Sequence, residues 1–243
     1  MNTIIQKESQ DVEIKNISLS SSKKTKRTKR PLIKADIKFC ELLCAKFCHD
    51  MAGPIGAINN GIDFIESRNE DMKRLSIELV SSSSKQMIHA LTFFRQSYGI
   101  VSEDSEVSFN TLKALIDNFF KGTKIKHSIL KKPSLEVVSG QTAKLIYNLM
   151  LAVATLMMYS GDLSIAIDEN KIHITSTARI HRIDSDFETI LMGRAYPSEL
   201  TARNIQVAFT SLIATSLGYK ISAEHLQKSL VMLSLEIPRA EKE

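Results

Sequence analysis

An apolar seam, broken once, constrains this chain more than any other feature. From Asp36 to Ser67 apolar side chains fall at Ile37, Cys40, Cys44, Phe47, Met51, Ile55, Ile58, Ile62 and Ile65. The steps between them are 3, 4, 3, 4, 4, 3, 4 and 3 residues. Alternating steps of three and four keep side chains on one face of an α-helix. A heptad-like seam of that length requires other helices to cover it. The doubled step of four, Met51 to Ile55, coincides with Gly53-Pro54. Proline inside a helix lacks a backbone donor and crowds the preceding turn, so a bend is expected there.

On that helix His49 lies about 160° around from Met51, on the face turned away from the seam. It shares this face with Ala45, Ala52, Gly53, Gly56 and Asn60, most of which are small. A wet helical face ordinarily carries long polar side chains, and a glycine there costs about 1 kcal/mol relative to alanine. Local rules broken beside one exposed histidine point to clearance for a second protein surface. The expected docking surface is Ala45, Ala52, Gly53, Gly56, Ala57 and Asn60, with neighbouring parts of a second helix. Asp50, adjacent on the helix, does not face His49 squarely and is expected to support it through its charge. Lys46 is expected to be solvated.

Asn69-Glu70 marks a turn, and Glu70 to Tyr98 forms the second helix, stopped at Gly99. Met72, Leu75, Leu79, Met87, Ala90, Phe93 and Phe94 lie on or near one side, while Ser81 to Ser84 weaken its middle. One antiparallel hairpin cannot bury a seam on both helices. Two copies forming a four-helix bundle would, so a homodimer is expected.

Beyond a polar linker at 102–106 the texture becomes α+β. Helices are expected at Phe109–Phe120 (capped by Ser108 or Asn110), Ser139–Tyr159, Asp186–Met192 and Glu199–Leu217. Strands are expected at Lys124–Leu130, Leu163–Asp168, Lys171–Ser176, Tyr219–Ala223 and Leu230–Glu236, giving a sheet with helices layered on one face. Three units result: a disordered basic tail over 1–34, a helical hairpin over 35–100, and an α/β unit over 106–238.

Charge sharpens this division. The chain carries +5 overall, but residues 1–34 hold seven Lys and two Arg against three acids, a net of +6, which leaves −1 for 35–243. Basicity confined to a tail gives the folded part no nucleic-acid footprint, and no direct nucleic-acid binding is expected. No run of about 18 apolar residues implies a membrane span, and residues 1–34 lack a secretory apolar region, so the expected location is cytoplasmic. Cys40, Cys44 and Cys48 recur every fourth residue along one helix, which suits neither a disulfide framework nor zinc, and they are expected as small buried hydrophobes on the seam. His89, His127, His173, His181 and His225 show no metal-ligand spacing.

His49-Asp50 with Pro54 resembles the H-[DE]-x-x-x-P box of the dimerisation and phosphoacceptor domain of histidine kinases. The longer run Cys48 to Gly61, with Phe64, and the run Leu91 to Gly99 together resemble the alphaproteobacterial ChpT-type histidine phosphotransferases. That resemblance implies a hairpin dimerised into a four-helix bundle, followed by a degenerate histidine-kinase-ATPase-like α/β sandwich. His49 would be the phosphoacceptor, taking its phosphoryl group from a receiver aspartate of a hybrid histidine kinase (CckA-like). It would pass the group to response-regulator receivers (CtrA-like and CpdR-like) in cell-cycle control, the receiver supplying Mg²⁺ and this chain binding no cofactor.

Kinase and relay differ in the nucleotide site. Where a kinase carries two asparagines four apart on one helix, this chain has Asn148 and then Ala152, which offers no oxygen to a hard cation. Residues 162–198 hold one glycine, Gly193, too few for a loop that cradles triphosphate. Asn148 is therefore expected as a capping or surface residue, and self-phosphorylation is not expected. Bifunctional kinases place Asn or Thr four residues after the histidine to orient a water. Gly53 stands there, so little receiver dephosphorylation is expected. Two other readings are an ATP-dependent kinase with a divergent nucleotide site, and a non-enzymatic scaffold or nucleic-acid adaptor working through the tail.

Overall fold

A computed structural model describes residues 37–183 and 186–236; the basic segment 1–34 lies outside them. Two long helices open the fold, α1 at Ile37–Ile65 and α2 at Glu70–Tyr98. The first runs through Pro54 as one helix. The second begins at Asn69, whose side-chain oxygen accepts from the Asp71 and Met72 amides at 3.0 and 3.2 Å. With Glu70 and Asp71 in its first turn, the free amides and the positive end of α2 are both compensated. Gly61 sets the approach of the pair, since a Cβ there would come within 2.6 Å of Val80 Cγ2 and 3.2 Å of the Ser76 carbonyl. Ser76 and Ser83 are buried on α2, so part of its serine content belongs to the helix contact and not to the wet face.

The rest is α/β. Short strands β1 (Glu106–Ser108) and β3 (Val137–Ser139) pair antiparallel, and both escaped the sequence reading because three residues carry no periodicity. The main sheet contains β2 (Lys124–Lys131), β4 (Ser160–Ile167), β5 (Lys171–Thr177), β6 (Lys220–Leu226) and β7 (Leu230–Glu236), in the order β2-β4-β5-β7-β6. Only β2 and β4 run parallel. Alternate residues Leu163, Ile165 and Ile167, Ile172 and Ile174, and Val231, Leu233 and Leu235 fill the inner face. Helices α3 (Phe109–Phe120), α4 (Gly140–Leu156), α5 (Phe187–Leu191) and α6 (Ile205–Ser216) accompany the sheet. Ser108 caps α3, its oxygen accepting from the Thr111 amide at 3.1 Å. The expected helix from Glu199 is shorter than read: a 3-10 turn at Pro197–Glu199 precedes it, and the helix starts at Ile205. The helix read as Ser139–Tyr159 ends earlier, at Leu156.

Hairpin and sandwich share one core. Phe93 stacks on Phe119 with centroids 4.1 Å apart and meets Tyr147 edge-on at 5.3 Å; Tyr98 lies 5.7 Å from Phe209. On α1, Phe39 lies 6.4 Å from Phe209 and Phe47 lies 5.5 Å from Phe94, so its buried side points away from the expected direction. Its buried side centres on Phe39, Lys46, Met51 and Gly61, while Ile37, Ile55 and Ile62 stay exposed. All three cysteines are exposed as well, against the expectation of a buried thiol seam. The sandwich covers one flank of α1, and the thiols lie on the other.

Candidate functional site

His49 stands near the middle of α1 with 86% of its side chain exposed. Beside it lies a cleft of about 960 Å³ between α1, the end of α4, and α5 with the start of α6. Ala45, Lys46, His49 and Asp50 form the α1 wall. Thr155, Tyr159, Arg182, Arg203 and Asn204 contribute to the opposite side.

Asp50 lies deeper, 14% exposed. Its Oδ1 is 3.4 Å from His49 Nδ1, a long polar contact, and closer than adjacency on a helix suggests. Its other oxygen pairs with the Lys46 ammonium, one turn back. Lys46 is only 9% exposed, so the expectation of a solvated lysine is corrected: the sandwich covers it and Asp50 neutralises it. The carboxylate thus occupies the floor of the site, and its charge reaches two phenols. Burial first, and then the charge of Asp50, raises the Tyr98 hydroxyl well above its ordinary pKa of 10.0. Burial and then Asp50 push Tyr159 up to about 12, against an opposing hydrogen bond to Thr155. Both phenols stay protonated near neutral pH.

Tyr159 is delivered by unusual backbone. Met158 and Tyr159 have φ of 54° and 55°, left-handed values that cost a side-chain-bearing residue roughly 1–2 kcal/mol each. They turn the chain out of α4 into β4, and the strain lies at the cleft.

The small-residue face is open as expected. Ala45, Ala52, Gly53 and Asn60 are exposed, and Gly56 and Ala57 partly so. A Cβ on Gly53 or Gly56 would meet nothing within 4 Å, so packing within the chain requires neither glycine. The structure brings Ala45 to the cleft with His49 and leaves the other five along the helix.

Asn148 is corrected. It is fully buried, and its amide donates to the Ser97 and Lys144 carbonyls, both at 2.8 Å. Arg182, Arg203 and Tyr159 were missed because they are scattered in sequence and only the chain's topology gathers them. Among the described residues no group of His, Cys, Asp and Glu is poised to hold a metal.

The site is thus an exposed histidine beside a carboxylate, on a helical hairpin docked to an α/β sandwich. Residues 109–229 match the histidine phosphotransferase C-terminal domain family. Over 195 residues the chain is 25% identical to the protein phosphotransferase ChpT of Brucella abortus (strain 2308), spanning 78% of this chain and 91% of that one. The solved structure of a bacterial phosphotransferase superposes with a TM-score of 0.70 at 24% identity, covering 85% of this chain and 99% of that one. The catalytic domain of histidine kinase ThkA gives 0.41 at 16% identity, covering 56% and 95%. Residues 109–229 belong to the histidine phosphotransferase C-terminal domain family, and the chain's activity is phosphoryl transfer in a phosphorelay.

Proposed function

We propose that His49 is the phosphoacceptor, and that it takes a phosphoryl group from the aspartate of a phosphorylated receiver domain and hands it to a second receiver. The observation that carries this reading is the position of His49: exposed, at the rim of the cleft, with Asp50 beneath it and two glycines beside it that serve no packing need. Asp50 faces Nδ1, which favours the tautomer protonated there and leaves the Nε2 lone pair outward for attack. Transfer then needs in-line positioning and charge neutralisation. The receiver brings Mg²⁺. Arg182 and Arg203 give the cleft cationic character suited to an acidic, phosphorylated partner.

Donor and acceptors of the CckA, CtrA and CpdR kinds fit the resemblance in residues 48–61 and 91–99. The reading includes a homodimer through the exposed apolar flank of the hairpin and a cytoplasmic location. No helix among the described residues is long and apolar enough to cross a membrane. An ATP-dependent reaction is disfavoured by Asn148, whose amide is committed to two backbone carbonyls inside the protein.

The deciding experiment is transfer from a receiver labelled on its aspartate to the wild-type chain and to His49→Ala. Label is expected on the wild type and none on the variant. Equal labelling of both would remove His49 from the reaction. Incubation with γ-labelled ATP and Mg²⁺ is expected to label neither.

A further inference from the structure

The segment leaving α2 presents three carbonyls that helix geometry alone cannot satisfy: Ser97 in the last turn, then Gly99 and Val101 beyond it. Side chains of α4 take all three. Asn148 Nδ2 donates to Ser97 O at 2.8 Å, Lys144 Nζ to Gly99 O at 2.8 Å, and Gln141 Nε2 to Val101 O at 3.2 Å. Every second carbonyl of 97–101 is met by successive turns on one face of α4. The Lys144 ammonium also sits at the negative end of α2, 5.8 Å from the centre of the Phe209 ring. Gly140 lets the strand-bound linker close in, because a Cβ there would collide with Ser105 and Val101.

A second set of bonds ties α6 into the same joint. The Tyr98 hydroxyl donates to Gln206 Oε1 at 2.6 Å, and Gln206 Nε2 donates to Asn148 Oδ1 at 2.9 Å. Thr210 Oγ1 lies 3.1 Å from the Asn148 carbonyl. Ser97, Asn148, Gln206 and Thr210 are all buried, where an incomplete network would be costly.

We infer that this carbonyl ladder, with Asn148, Gln206 and Tyr98 as positioning residues, is a lock that holds the α/β sandwich in one place against the hairpin, so that the cleft wall carrying Tyr159, Arg182 and Arg203 stands preset opposite His49. The inference rests on the reading that a receiver docks in that cleft. A partner docking between surfaces joined by a free hinge would have to order them as it binds, and the lock removes that cost beforehand. The position at which a kinase helix carries a nucleotide-site asparagine is used here to join two parts of the fold. None of the three residues touches the reacting atoms; they act through the wall they place.

The test is the initial rate of transfer from a receiver domain, phosphorylated with labelled acetyl phosphate, to the full-length chain over a range of receiver concentrations. Asn148→Ala is expected to raise KM for the receiver about tenfold and Tyr98→Phe a few-fold, with kcat within about twofold of wild type. Loss of folded protein would lower apparent kcat and leave KM alone, so the KM rise separates positioning from stability. Tyr98→Phe removes one oxygen and no volume, and decides the matter if Asn148→Ala does not fold. Unchanged KM in Tyr98→Phe and in any folded Asn148→Ala overturns the lock, whatever happens to kcat. His49→Ala run alongside keeps the two claims apart: equal labelling there defeats the phosphoacceptor reading, while a normal KM with label lost in His49→Ala defeats the lock alone.

Discussion

Gly53 and Gly56 are the residues that best separate what this chain needs for folding from what it needs for a partner. Each costs helix stability of about 1 kcal/mol against alanine, and neither fills a close contact inside the chain. Gly56→Ala is expected to raise thermal stability by up to about that amount, read from a melting curve. Gly56→Leu is expected to fold equally well and to slow phosphotransfer from a receiver at least about tenfold, through KM, because the added branch occupies partner space. A normal transfer rate in Gly56→Leu would mean the small face is not a docking surface. Gly61, eight residues after Gly53, behaves oppositely: its Cβ would strike Val80, so Gly61→Leu should lower stability and leave no folded chain to assay cleanly. The sequence motif contains all three glycines without distinguishing them. Only the helix contact does.

At the level of elements, periodicity made α1, α2 and the alternating strands β4, β5 and β7 legible, because one buried face repeats every 3.6 or 2 residues. His49 was legible for the same reason, since its angle on the helix follows from the seam. Three things were not. The cysteines repeat like core residues, but the sandwich packs on the adjoining flank and leaves them exposed. Lys46 and Asn148 are polar residues whose burial depends on partners, Asp50 and the end of α2, that no local pattern reveals. His181 is a further case. Its ring is buried, Nδ1 donates to the Lys228 carbonyl at 3.1 Å, and Nε2 accepts from Ser176 at 2.9 Å. Burial lowers its pKa below the ordinary 6.5, opposed by the Lys228 bond. The unfolded chain therefore binds the proton more readily than the folded one, and stability is lost as pH falls below 6.5 toward the folded pKa. Denaturant midpoints are expected to drop between pH 7.5 and 5.5 in the wild type and to drop less in His181→Gln; equal slopes would exclude His181 as the cause.

For the whole molecule, the hairpin's remaining apolar surface is the largest unmet demand. The sandwich covers one side, yet Ile62 on α1 is 52% exposed and Ile77 and Ile88, on one face of α2, are 51% and 61% exposed. Ile55 on α1 and Leu91 on α2 are exposed near the same faces. Scattered exposed apolar residues are ordinary on a protein surface, but exposed apolar residues repeating on one face of each of two adjacent helices are the kind that mark association. A second copy would present the same patch, and the proposed dimer, two antiparallel pairs packed together, would bury it in a four-helix bundle. The opposite, small-residue side with His49 would remain free for receivers. Light scattering on a sizing column is expected to give twice the 27.2 kDa chain mass for the wild type. The double variant Ile62→Glu, Ile88→Glu should elute at the single-chain mass with its helical circular dichroism retained, because a carboxylate desolvated in an apolar interface costs several kcal/mol. A wild-type chain at single-chain mass at tens of micromolar would reject the dimer. A double variant that stays dimeric would put the interface on another surface.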